Sequence, residues 1–297
     1  KMSGQSQQKS PETFFRTAKV GHHKIEDATP ALRIFGDGER SLIFIHGFPT
    51  HGYTWRKLIV ELSKEFTCYV VDLPGMGDSE WTSETNFSFT QQAHRLSLLF
   101  NEKLGLGNYD VIAHNTGATI ARMFTLANPE RVGRLIAFNT EIPNHRPPWI
   151  ETYQKLAALP GAVPAFRLAL RSKVFIHSGA AFGQLYTDKR LLDEPTYLRP
   201  YLDPVLDSAR RMEGFLSYLK GIEWNVIDEF ERTHKDIEAK TLFIWGENDK
   251  TFPIGQARKM LPQFANLTEL IPLDASLLPH EERPMEALQH IQRFLAR

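Results

Sequence analysis

The strand Tyr109-Asp110-Val111-Ile112 runs straight into Ala113-His114-Asn115-Thr116-Gly117. A helical pattern takes over at once through Ile120, Ala121, Met123, Phe124 and Leu126. With no loop between strand and helix, the chain must turn sharply, and the form of the turn is small-x-Asn-x-small. Its flanks have to be small, because a side chain larger than alanine would strike the neighbouring strand and helix; Ala113, Gly117 and Ala118 satisfy this. The apex residue is the one projected clear of the backbone. Taken alone, the segment reads equally as a helix N-terminus capped by asparagine, so its meaning rests on the rest of the chain.

The rest is an alternation. Strands are expected at Phe15–Val20, Ala31–Phe35, Ser41–Ile45, Thr67–Val71, Tyr109–Ala113, Leu135–Asn139, Thr241–Trp245 and Leu267–Leu273. Several are short, nearly unbroken apolar runs, as strands covered on both faces should be. Helical periodicity lies between them at Thr54–Lys64, Thr90–Lys103, Thr116–Ala127, Ile254–Leu261 and His280–Leu295. Strand alternating with helix specifies an α/β fold with a mostly parallel, doubly wound sheet. The alternation stops after Thr140. From 141 to 240 the pattern is mostly helical and opens on Pro143, Pro147 and Pro148. We therefore expect a core of residues 13–140 and 241–297, a helical cap of 141–240 over the carboxyl ends of the strands, and a disordered or added tail at 1–12.

Composition narrows the function classes. Lys plus Arg equals Asp plus Glu at 35 each, so no overall basic field argues for nucleic acid or an anionic membrane. No apolar run approaches the ~20 residues of a membrane span, and the polar start KMSGQSQQKS has no signal-peptide core. The single cysteine, Cys68, rules out an internal disulfide and a cysteine zinc site; in its apolar strand it reads as a buried, inert thiol. The expectation is a soluble cytoplasmic protein, monomer or homodimer, acting on a small molecule, with no metal or cofactor and no nucleic-acid or membrane partner.

Further landmarks follow the other strands: His46-Gly47-Phe48-Pro49 after Ser41–Ile45, Asp72-Leu73-Pro74-Gly75-Met76-Gly77-Asp78-Ser79 after Thr67–Val71, and Gly246-Glu247-Asn248-Asp249 after Thr241–Trp245. Near the end comes Ser276-Leu277-Leu278-Pro279-His280-Glu281-Glu282. Together with the turn at Asn115 these resemble the α/β-hydrolase superfamily, and within it the haloalkane dehalogenase and epoxide hydrolase branch, over almost the whole chain outside 141–240. The resemblance makes Asn115 the apex of a nucleophile elbow. It implies covalent catalysis: an elbow Asp attacks carbon, a His activates water to cleave the ester, and an acid orients the His. By position, the backbone N–H groups of Phe48 and Thr116 would form the oxyanion hole, and Asp249 would be the acid. Glu141 is an alternative acid, against which stands its reading as a solvated residue at the cap hinge.

The chain departs from that pattern twice. Asn115 stands where the family has its nucleophilic Asp, and a carboxamide is a far weaker nucleophile than a carboxylate. Leu277 stands where the first His of Gly-His-x-x-His-Glu-Glu serves as base. Either the site has no base, or Pro279 reshapes the loop so that His280 swings inward to Asp249 and Asn115; otherwise His280 is a helix-opening surface residue, and His114 a packing residue. The halide clamp of dehalogenases is missing, since Thr116 and Phe48 occupy its places, and Thr116 and Thr119 stand where fluoroacetate dehalogenases carry arginines. Epoxide hydrolases use cap tyrosines to protonate the opening oxygen; Tyr153, Tyr186, Tyr197, Tyr201 and Tyr218 are available, with Trp149, Tyr153 and Tyr186 expected to line the pocket. Two functions are compatible with these residues. One is an Asp-nucleophile-type hydrolase for a small, mainly apolar electrophile, with Asn115 an engineered trap or a precursor of Asp. The other is a non-catalytic ligand-binding protein on a hydrolase scaffold. The missing serine argues against an esterase.

Overall fold

The computed structural model describes residues 8–266 and 268–297. Ten strands occur among them: β1 (Gly21–His22), β2 (Ala28–Thr29), β3 (Ala31–Phe35), β4 (Ser41–Ile45), β5 (Thr67–Asp72), β6 (Glu80–Trp81), β7 (Tyr109–His114), β8 (Val132–Phe138), β9 (Lys240–Gly246) and β10 (Thr268–Leu273). Eight form one sheet in the order β1-β3-β5-β4-β7-β8-β9-β10, and β2 pairs with β6 apart from it. The ladder is parallel from β5 through β10 and antiparallel where β3 joins β5 and β1 joins β3.

Alternation along each strand builds two apolar layers. Ile43, Ile45, Val71, Val111, Ala113, Leu135 and Phe243 face one layer; Leu42, Phe44, Val70, Ile112, Ile136, Leu242 and Ile244 face the other. This period of two, apolar on both sides, is why the strands read as unbroken hydrophobic runs. Cys68 lies fully buried in the second layer, and burial pushes its thiol up to about 12. Between β8 and β9 the chain is helical: Ile150–Ala157, Ala162–Ala169, Lys173–Ile176, Arg199–Asp207, Ala209–Lys220 and Trp224–Thr233, with short 3-10 turns.

The expected strand at Phe15–Val20 is not formed. Pro11–Arg16 is a helix, with Ser10 as its cap and Pro11 and Glu12 in its first turn. It starts inside the stretch read as a tail, whose residues 1–7 lie outside the described ones. Phe15 is buried because it packs on Phe35 and Tyr53, which is a helix-face contact. The helix expected at Thr54–Lys64 opens with a 3-10 turn at Gly52–Trp55 and continues as Arg56–Leu62, and that expected at Thr90–Lys103 finishes in a π-helical turn, Leu98–Lys103. Leu267, the first residue of the last expected strand, also lies outside the described residues, among which no helix is long and apolar enough to cross a membrane.

Candidate functional site

β7 is buried along its whole length and ends in a turn at Asn115, whose backbone sits at φ 54°, ψ −129° before the helix Thr116–Ala127 begins. A non-glycine residue at positive φ is strained, and here the surroundings fix it. The Asn115 N–H donates to the carbonyls of Phe138 and Asn139 at 3.1 and 3.0 Å, and the Thr140 hydroxyl donates to the Asn115 carbonyl at 2.8 Å. The neighbours leave no space for side chains. A Cβ on Gly117 would lie 2.0 Å from the His46 carbonyl oxygen, and one on Gly47 would lie 2.4 Å from the Asn115 Cβ.

The two backbone N–H groups singled out by resemblance meet on one atom. Asn115 Oδ1 accepts from the N–H of Thr116 at 2.6 Å and of Phe48 at 3.2 Å. Only an oxygen can accept from both, so the carboxamide orientation is settled, with Nδ2 turned the other way. Asn115 lines a cavity of about 140 Å³, walled by Phe48, Thr116, Glu141, Trp149, Tyr153, Phe166, Leu170, Phe215, Leu219, Phe252 and Leu277 among others. That volume is near that of an apolar cavity able to hold benzene. The floor comes from the ends of β4, β7 and β8, and the roof from the helical stretch between β8 and β9.

Asp249 follows β9 and is buried. Its Oδ2 accepts from Asn139 Nδ2 at 2.9 Å and its Oδ1 from the Thr251 N–H at 2.9 Å. Burial raises its carboxyl to about 6 despite these donors. Asn139 is itself pinned by the Gly246 N–H at 2.7 Å. Sequence reasoning misses this support, although the run Asn139-Thr140-Glu141 follows a strand as the other landmarks do.

The expected approach of His280 to Asp249 and Asn115 does not occur. His280 is fully buried, but outside the pocket. Its Nε2 lies 2.8 Å from Thr54 Oγ1, and that hydroxyl donates to Glu281 Oε2 at 2.7 Å. Since the hydroxyl proton is used, His280 Nε2–H is the donor to Thr54. The ring packs against Trp55, His114 and Phe138. Burial, with His114 beside it, holds His280 well below the usual imidazole range. The physical reason is position: Pro279 opens the helix Pro279–Glu282, and residue 280 in its first turn faces the helix at Thr54, not the cavity. His280 is therefore not on the surface, and no hydrogen bond joins it to Asp249 among the described residues. Leu277 lines the cavity instead, with its carbonyl accepting from His114 Nε2 at 2.6 Å.

Of the three side chains expected at the pocket, Trp149 and Tyr153 line it and Tyr186 does not; Tyr186 is buried against Tyr197. Tyr153 Oη donates to the Ala180 carbonyl. Tyr218 Oη pairs with Thr116 Oγ1 at 2.7 Å, beside the pocket wall. Glu141 is not a solvated hinge residue. It is buried at the cavity wall, where its Oε2 accepts from Thr119 Oγ1 at 2.6 Å and lies 3.2 Å from Thr140 Oγ1. Burial raises its carboxyl, and the Thr119 bond opposes that. Behind it Arg122, fully buried, donates to Thr140 Oγ1 at 2.8 Å and to the Glu141 carbonyl at 3.0 Å; burial lowers it to about 10. No group of three or more metal-ligating side chains converges among the described residues.

Comparison with known proteins bears on this geometry. The family model described as alpha/beta hydrolase fold matches residues 40–284. Epoxide hydrolase 4 of Homo sapiens is 23% identical over 273 residues, covering 83% of this chain and 71% of that protein. An uncharacterised hydrolase of Bacillus subtilis is 24% identical over 264 residues, covering 87% and 90%. Among solved structures, the epoxide hydrolase CorEH without ligand superposes with TM-score 0.76 at 20% identity, covering 94% of this chain and 99% of the other. An enol-lactonase from Burkholderia xenovorans gives 0.75 at 19%, covering 93% and 100%; these two likenesses concern the fold. With a mostly parallel sheet, a strained strand-to-helix turn and converging backbone donors already in place, the chain belongs to the α/β-hydrolase fold family.

Proposed function

We propose that this protein binds a small, mainly apolar ligand at Asn115, under a cap formed by the helical stretch, without turning it over. The observation that carries this is Leu277 on the cavity wall while His280 is spent on Thr54. Ester hydrolysis needs a base to take a proton from water, and among the described residues no imidazole lines this cavity. The pocket keeps what binding requires: aromatic and aliphatic walls, the Asn115 amide as donor and the Glu141 carboxyl as a second polar contact. Epoxides are the ligand chemistry to try first, given the names of the relatives, with haloalkanes second on the motif resemblance alone. The test is to incubate the protein with panels of epoxides, haloalkanes and esters, reading thermal stabilisation and product side by side. Stabilisation without product above the buffer rate is expected; steady turnover by the unaltered chain defeats the proposal.

A second reading has its own observation. Asn115 Oδ1 sits on the two backbone donors as the inner oxygen of a nucleophilic Asp would, with Asp249 retained and buried. On this reading Asn115 is a precursor hydrolysed to Asp. Intact mass and peptide mapping after long incubation separate the two: conversion of amide to acid at residue 115 favours the precursor, and an unchanged mass favours the binding protein.

A further inference from the structure

Helices roofing a pocket in a water-soluble fold are usually apolar toward the pocket and polar outward. Three here are apolar both ways. On Ile150–Ala157, Ala162–Ala169, Lys173–Ile176 and their joints, Ile150, Tyr153, Phe166, Leu170 and Phe175 line the cavity. The same stretch exposes Trp149, Leu156, Leu159, Leu168 and Val174, with Leu168 73% and Val174 84% accessible. Only two other large apolar side chains, Ile34 and Met285, reach comparable exposure among the described residues. Clustered exposure of this kind marks an interaction surface, whereas scattered exposure does not.

Charge decides the partner. Between residues 149 and 176 there are four basic side chains, Lys155, Arg167, Arg171 and Lys173, and one acid, Glu151. Glu151 already pairs with Arg146 at 3.3 Å. Lys173 lies 3.4 Å from Asp193, which is half exposed, while Arg167 and Arg171 anchor on the Leu206 carbonyl and Lys155 is exposed, with no ion pair among the described residues. The overall balance of 35 against 35 conceals this local excess. A two-fold contact with a second copy would set the same basic patch against itself, so self-association is disfavoured. Apolar side chains ringed by cations suit a surface that is apolar within and anionic at its face.

We propose that the outer face of residues 149–176 docks on an anionic lipid surface, inserting Trp149, Leu156, Leu159, Leu168 and Val174 to shallow depth. Trp149 belongs both to this face and to the pocket wall, so docking would bring the pocket mouth to the lipid. The docking itself does not depend on what the pocket holds.

The experiment uses the full chain with vesicles of phosphatidylcholine alone and of phosphatidylcholine with phosphatidylserine, followed by sedimentation and tryptophan emission. Binding to the phosphatidylserine vesicles is expected, weakened by salt, with a blue shift from Trp149. Leu168→Ser with Val174→Ser should lower partitioning at least about tenfold, and Lys155→Gln roughly fivefold. All three side chains are exposed, so melting temperatures should not move. Failure to bind phosphatidylserine vesicles overturns the proposal, as does equal binding by the serine pair. A dimer in solution that the serine pair dissociates, with vesicles ignored, assigns the face to a second copy instead.

Discussion

At residue 115 the chemistry turns on one atom. Replacing Nδ2 by an oxygen, as in Asn115→Asp, puts an anionic group in the cavity while Oδ1 keeps its two backbone donors. Those donors and the helix N-terminus favour the ionised form. The free oxygen can then attack the carbon of a haloalkane: the C–O bond forms, the C–halogen bond breaks, and the halide leaves with the electron pair. Cleaving the resulting ester with water needs a base, and Leu277 is none. Asn115→Asp should therefore accumulate an ester at residue 115, seen as a mass gain of the alkyl group, without multiple turnovers. Adding Leu277→His should speed release of that ester by about 10²–10⁴. Turnover by Asn115→Asp alone would mean another group, with Glu141 foremost, serves as base. The sequence makes these two substitutions legible because their neighbours are so regular. It is silent on His280, since one histidine three residues from the expected place looks like a shifted base until the helix start at Pro279 fixes its direction. Glu141 is illegible for another reason: sequence does not say whether a residue after a strand meets solvent or a roof.

At the scale of elements, a buried polar knot joins three parts of the chain. Glu281 accepts from Arg56 Nη1 at 2.9 Å, Thr54 Oγ1 at 2.7 Å and Tyr201 Oη at 2.9 Å, while Arg56 Nη2 donates to the Thr196 carbonyl at 2.7 Å. The helices Arg56–Leu62, Pro279–Glu282 and Arg199–Asp207 are thereby tied together. Both charged groups are fully buried, so removing Glu281 leaves Arg56 only the longer pairing with Glu12 at 3.3 Å, and removing Arg56 leaves the Glu281 carboxylate without a cation. Glu281→Gln should lower unfolding free energy by about 3–5 kcal/mol in urea titrations, whereas replacing both partners, Arg56→Met with Glu281→Leu, should restore much of it. An effect below about 1 kcal/mol for the single change would show the knot to be reached by water. The strands of the parallel sheet are readable because burial on both faces leaves a run of apolar residues. The N-terminal helix Pro11–Arg16 hides for the opposite reason: two phenylalanines outweigh Ser10, Pro11 and Glu12, an ordinary helix start.

For the whole molecule, buried histidines set the response to acid. Burial lowers His46 to about 4 and His114 and His234 to about 3, with His280 lower than usual for the same reason. A histidine depressed in the folded state gives stability that is full above the unfolded value near 6.5 and is lost as pH falls through that value. Each of the first three forfeits on the order of 3 kcal/mol by a pH of about 4. Asp249 works the other way: raised to about 6, it destabilises the fold as pH climbs from about 4 to about 6, and acidification regains a comparable amount. The lowered histidines, with His51 among them, outnumber the raised carboxyls of Asp249 and Glu141, which predicts net destabilisation between about pH 6.5 and 4. Melting temperature against pH should fall steeply on the acid side; a flat profile there would contradict the buried, neutral state of these rings. The elbow has a different consequence. The Asn115 carboxamide is an internal ligand for the Phe48 and Thr116 N–H groups, tethered at high effective concentration, so ions in solution compete for them poorly. Cutting it back with Asn115→Gly would evict the tenant and leave two aimed donors vacant. The variant's melting temperature should then climb with acetate concentration by mass action while the parent's stays level, making a receptor for small carboxylates out of what the side chain had kept to itself.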